Sequence, residues 1–333
     1  MPKARSEQVS LDDTSYYHCV SRCVRRAFLC GVDQSTGKSF EHRRSWVEQR
    51  LLALADVFAI DICAYAVMSN HTHVVLHVNR EQALGWDTRQ VLERWHKLHK
   101  GTLLTSHYLK GDDLDEASWQ AVTETAEVYR RRLYDISWFM RNLNEPIARQ
   151  ANKEDGCTGR FWEGRFKSQA LLDEAAVIAC MAYVDLNPVR AKVAKTPEKS
   201  AFTSVKKRTD TLKSSRGNSN SPTQPECLYP FVGHESKEIP EGLTFSLREY
   251  LLLLDISGRA IQEGKPGAIL PEYPPILTRL GIDEVEWTEL ITSLEKQFCG
   301  PIGTESAMRT FQHNHGLQRM RGVGAAKRCF QCA

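Results

Sequence analysis

No stretch of the chain is apolar enough to cross a membrane. The longest, Leu51 to Met68, is broken by Asp56 and Asp61, whereas a spanning helix needs about 20 apolar residues in a row. Met1 to Tyr16 lacks the apolar segment of a signal peptide, so a cytoplasmic location is expected. Cysteine is sparse, 10 in 333 residues, which excludes a disulfide-stapled scaffold and leaves most thiols as small core side chains. Neither sign of charge dominates: 44 Lys plus Arg against 41 Asp plus Glu gives a net charge of +3, too weak to announce a polyanionic partner. Repeats are not evident. With 41% apolar and 26% charged residues, wholly disordered, collagen-like and coiled-coil classes are excluded, and the length allows one large domain plus a smaller one, or two modest ones.

The distribution of charge says more than its sum. Lys192 to Arg216 holds eight basic and two acidic residues, Ala307 to Ala333 five basic and none acidic, and Gly111 to Val128 six acidic and none basic. Blocks of opposite sign suggest one side facing a polyanion and a solvated insert.

Periodicity orders the elements. Tyr16 to Cys23 reads as a strand, and a helix then carries Trp46, Val47, Arg50, Leu51, Leu54, Ala55 and Phe58 on one face. Ala59 to Val67 and His71 to Val78 read as antiparallel strands around a Ser69–Asn70 turn. The polar region at about 80–130 reads as an insert, helical around Arg89 to His99. Leu133, Ile136, Met140, Leu143 and Ile147 mark a helix laid on a sheet. Pro146 should kink or restart it, with Asn144 as a new N-cap. Arg160 to Leu172 reads as a fourth strand, and Asp173 to Val184 as a helix with Asp173 at its start. The order β, α, β, β, α, β suits an α+β fold, a ferredoxin-like antiparallel sheet with helices on one face and the other face open. The domain expectation is 1–195 with its insert, a Ser/Lys/Pro-rich linker at 196–226, and a mostly helical region at 227–333.

The sharpest chemical signal is His71-Thr72-His73. A period of two puts both imidazoles on one face of a strand, close enough to share a divalent ion; the alternative is a pair of partly exposed sheet histidines. Completed by a carboxylate, amide or water, such a pair suits Mg²⁺ or Mn²⁺ on a phosphate oxygen, whereas structural zinc takes four protein ligands. His77 shares the face but reads as a satisfied sheet histidine. Cys299, His313, His315, Cys329 and Cys332 could build a zinc site, although their spacing fits no familiar ribbon.

Four separated blocks, Tyr17 to Arg22, Ala66 to Val74, Arg160 to Ser168 and Leu186 to Ala191, resemble the single-tyrosine HUH transposases, in their REP-associated branch. The resemblance covers about residues 14–195. It implies a divalent ion on His71 and His73, a further ligand from the following helix, where Gln150 or Asn152 offers an amide oxygen, and a helix tyrosine that attacks a DNA phosphate. Counting back from Gly156 and Trp162, that tyrosine should fall near Ile147 to Gln150, and none is there. Tyr134, read on the same helix, lies roughly 20 Å away at 1.5 Å per residue, a weak substitute. Tyr16, Tyr17, Tyr108 and Tyr129 would reach in only through a rearranged backbone.

Arg160, Trp162, Arg165 and Lys167 interleave cations with aromatics, which suits phosphate contacts and base stacking on hairpin or single-stranded DNA, or else an amphipathic edge strand. Arg190 adds a phosphate contact or caps the fold. The implied function is a transposase that nicks and rejoins DNA, as monomer or homodimer. Two alternatives stand beside it: a DNA-binding protein that does not nick, because the tyrosine is absent, and a metal-dependent nuclease in which water attacks.

Overall fold

Strand β1 (Tyr16–Arg22) forms the interior of a four-stranded sheet. It pairs antiparallel with β3 (His71–Val78) on one side and β4 (Lys167–Leu171) on the other, while β2 (Ile60–Val67) pairs with β3, giving the order β2-β3-β1-β4. The computed structural model describes residues 8–24, 29–33, 36–214, 224–233, 241–263, 277, 280–282 and 284–330. Helix α1 (Arg43–Ala55) connects β1 to β2, and α6 (Ile136–Glu154) precedes β4. This is the expected α+β, ferredoxin-like arrangement.

Alternation in the strands creates two faces with different covers. Tyr17, Cys19, Val74 and Leu76 pack under α1 and α6, with Phe139, Leu143 and Ile147. A bond network ties these helices together, because buried Arg43 at the start of α1 donates to Glu154 and Asp155 at the end of α6. On the opposite face, the register shift between Ile62 and Ala64 leaves Cys63 and Ala64 on the same side, as a bulge does. Those small residues let α7 (Glu174–Asp185) lie against the sheet. Every residue of α7 except exposed Glu174 is buried, because the helix is sandwiched between the sheet and the C-terminal region.

The second face is therefore covered, not open. Its cover includes α8 (Asn187–Arg190), α9 (Ser204–Ser214), α10 (Leu247–Glu263), α11 (Glu284–Gln297), α12 (Glu305–Asn314) and α13 (Val323–Cys329). Trp287, Leu290, Ile291, Leu294, Phe298 and Ile302 share one apolar cluster with α7 and the sheet. The stretch read as a linker includes α9, anchored by fully buried Arg208, whose guanidinium donates to the Cys63 and Tyr229 carbonyls. Residues 215–223 of that stretch lie outside the described residues.

Three more expectations change. The region at 80–130 is built of helices α2 (Arg80–Gly85), α3 (Thr88–His96), α4 (Leu103–Lys110) and α5 (Glu116–Leu133). The fourth strand begins only at Lys167; Arg160 to Phe166 is a loop whose Trp162 bridges Cys23. Helix α6 runs through Pro146 without restarting at Asn144. Proline lacks the N–H that would bond the carbonyl four residues back, and Arg50 Nε supplies the missing donor to the Asn142 oxygen at 3.0 Å. Among the described residues, no helix is long and apolar enough to cross a membrane.

Candidate functional site

Register assembles the site. Val20 of β1 lies opposite His73 and Lys167, Arg22 opposite His71, and His18 opposite Gln169. Paired residues share a face, so His18, Arg22, His71, His73, Lys167 and Gln169 point to the side covered by α7 and α11.

The two expected histidines do lie together, with ring centroids 4.7 Å apart and planes at 81°. The closer nitrogen contact is a different pair: His18 Nε2 and His73 Nδ1 are 2.9 Å apart, in rings only 1% and 2% exposed. Glu295, in the last turn of α11, brings Oε1 to 3.6 Å from His73 Nδ1. His18, His73 and Glu295 each offer a ligand atom, all within 4.8 Å of one another, and are the group of this kind among the described residues. His71 is half-buried, and its Nδ1 faces Asn70 Oδ1 at 2.6 Å. An amide oxygen only accepts, so His71 donates there and keeps its lone pair on Nε2.

Burial holds all three rings neutral. It pushes His18 and His71 down to about 4 and His73 well below its ordinary value, with Arg190 adding to the effect on all three and Arg22 on His71 and His73. The Glu295 carboxyl is raised by burial against the opposing pull of Lys167, Arg22 and Arg190. Neutral imidazoles beside a carboxylate are in the protonation state that a metal ion requires.

The amides expected from α6 do not join this group. Gln150 is exposed, and Asn152 Nδ2 donates to the Gly159 carbonyl at 2.9 Å. Ile147, at the expected nucleophile position, is 2% exposed in the core beneath α1 and α6. Tyr134 is not on α6; it is the C-cap of α5. Tyr17 donates to the Ser10 carbonyl, and Tyr129 stacks on Trp95. The tyrosine ring beside the histidines is Tyr183 of α7, 5.9 Å from His73 between centroids. Burial pushes its phenol up to about 12, and the Arg190 guanidinium lies 3.8 Å over its ring.

Arg190 is turned inward, donating to the Tyr183 and Ile291 carbonyls, so it joins the end of α7 to α11. Trp162 Nε1 donates to the Asn144 carbonyl. Arg160, Arg165 and Lys167 are exposed on the loop and the start of β4, and this loop pairs with the end of β1 through the Glu163 N–H on the Arg22 carbonyl. Cations therefore border the edge where His71 emerges.

No protein-family model matches the chain, and no curated protein sequence does. A solved structure described as a REP-associated tyrosine transposase bound to a REP hairpin is similar at a TM-score of 0.37 and 11% identity, over 70% of this chain and 99% of that one. At that TM-score the likeness carries no weight for function.

His77 is held by Asp61 and stacks on Tyr229, as a satisfied sheet histidine should. The C-terminal zinc set does not assemble among the described residues: Cys329 is buried against Gln297, His315 pairs with Asp13, and Cys332 lies outside them. Sequence reasoning misses His18 and Glu295. The parity of Tyr16, His18, Val20 and Arg22 along β1 is a signal for the first; nothing local marks the second.

Proposed function

We propose that this chain is a DNA-binding protein of transposase-like build that makes no phosphotyrosine. The observation that carries this reading is the burial of Tyr183, the tyrosine on the histidine face, which is 8% exposed with the Arg190 guanidinium over its ring; the Ile147 position lies on the opposite face of the sheet from His71 and His73. Burial raises the Tyr183 phenol up to about 12 although the Arg190 charge pulls it down, so the ring must be uncovered before its oxygen can reach a phosphate. DNA binding is supported by the exposed cations Arg160, Arg165 and Lys167, which lie beside the end of β1 in the blocks that resemble the family.

The test is incubation of labelled hairpin and single-stranded DNA with the full chain and Mn²⁺, read on denaturing and native gels. A retarded complex is expected, with neither a denaturation-resistant adduct nor shortened DNA. Replacing Arg160, Arg165 and Lys167 by alanine should weaken the complex. On single strands the slope of log affinity against log salt should shrink by about 0.7 for each phosphate that is no longer neutralised. An adduct that vanishes in Tyr183→Phe, or cleavage without an adduct, would overturn the non-cutting reading. Affinity unchanged by the triple substitution would remove the proposed DNA surface.

A further inference from the structure

We propose that His18, His73 and Glu295 form a transition-metal site of the zinc class, and that the bound ion fastens α11 to the sheet. This donor set differs from the pair His71 and His73, and it stands independently of DNA binding.

Donor chemistry argues for the class of ion. Two imidazole nitrogens and one carboxylate oxygen suit zinc and its neighbours, whereas Mg²⁺ prefers an all-oxygen shell. Spacing agrees with an ion of that size. Bonds of 2.0–2.1 Å in a tetrahedron put donor atoms roughly 3.3 Å apart; two of the three separations, 2.9 Å from His73 Nδ1 to His18 and 3.6 Å to Glu295, lie on either side of that value, and all three donor atoms lie within 4.8 Å of one another. The Glu295 separation is too long for a hydrogen bond; the carboxylate faces the imidazole without bonding it and is attracted there by Lys167, Arg22 and Arg190 as well. Three protein ligands leave a tetrahedral ion one position for water or another small ligand.

The surroundings orient the ligands as a metal site requires. Gln169 hydrogen-bonds the His18 side chain, and its Nε2 donates to the Phe298 and Gly300 carbonyls at 2.7 and 2.5 Å. A hydrogen-bond partner on an imidazole fixes its tautomer and orientation. The same glutamine ties that ligand to the chain directly after α11. The helix departs from regular geometry at Ser293 (φ −130°, ψ 18°), two residues before Glu295. Because His18 and His73 come from adjacent strands and Glu295 from a helix, an ion held by all three adds a link between layers already joined by packing, by Arg190 and by Gln169.

The experiment uses the full chain, stripped with chelator, and ZnCl₂, MnCl₂ and MgCl₂ as separate titrants in calorimetry, with thermal unfolding and hydrogen exchange as further readouts. One equivalent of Zn²⁺ should bind, more tightly than Mg²⁺. It should raise the melting temperature and slow exchange in residues 294–302. Glu295→Gln, at a half-exposed position, should lose that binding and the slowed exchange. Gln169→Leu should weaken binding by about 10- to 100-fold, and His71→Ala should leave it in place. Absence of Zn²⁺ binding overturns the proposal, as does binding that survives Glu295→Gln or disappears in His71→Ala.

Discussion

Asp185 shows how much a single buried group can shape the pH response of this fold. Its carboxylate accepts from Ser204 Oγ, the Val205 N–H and the Tyr250 hydroxyl. Burial nevertheless outweighs those donors and pushes it up to about 6 from an ordinary 3.8. The fold thus binds this proton more tightly than the unfolded chain does, and the contribution is fullest below about 3.8. It is lost as pH rises through 6, an effect on the order of 2–3 kcal/mol. His18 and His71, depressed to about 4, work in the opposite sense, giving stability above 6.5 that is lost as pH falls. The informative quantity is therefore the difference between the protein and Asp185→Asn: urea midpoints measured from about pH 4 to 7 should show the variant gaining on the parent as pH rises. Parallel curves would contradict this assignment. At this scale His71 and His73 are legible in the sequence because a period of two needs no knowledge of the fold. His18 joins them only through the Val20–His73 register, and Glu295 arrives from a helix that no local pattern connects to the sheet.

Helix α6 is legible by its apolar spacing, but its course through Pro146 is not, since the compensating donor belongs to α1. Arg50 fills the place of the absent N–H on the Asn142 carbonyl. Arg50→Ala should cost about 1–2 kcal/mol in urea unfolding, the penalty for a buried acceptor left unsatisfied. In a Pro146→Ala background the N–H returns, so the same substitution should cost measurably less, and a double-mutant cycle reads the coupling. Equal costs in both backgrounds would show that Arg50 acts only by packing. The fourth strand reads too long, because Arg160, Trp162, Arg165 and Lys167 interleave cations with an aromatic as an amphipathic edge strand can, while 160–166 form a loop closed by Trp162 on Asn144. Helix α5 is hidden since its start is acidic and its buried side, Val122, Ala126, Tyr129 and Leu133, needs a second layer to explain it. Asp173 is a helix start by pattern, and its side chain does accept from the Ala176 N–H.

Across the whole molecule, one sheet supports two apolar layers, and the second is completed by residues far along the chain. Trp287 is fully buried there and donates to Ser257. Trp287→Ala should lower stability by about 3–5 kcal/mol. Because α7 is shared by the sheet and the C-terminal helices, the loss should appear in a single transition that also lowers hydrogen-exchange protection in the sheet. Two separated transitions would instead indicate that 227–333 unfolds as its own unit. The antiparallel sheet follows from the succession of elements. The cover on its second face does not, because the basic stretch after Thr196 reads as a spacer until Arg208 is seen buried beneath it.

The cluster of His18, His73 and Glu295 also has a temporal side. A ribosome releases residue 18 and residue 73 long before residue 295, so the imidazole-bearing surface is first covered in part by α7 and closed over by the Glu295 helix only much later. A nascent protein halted before that helix would show the rest of the surface to chaperones and stray cations alike.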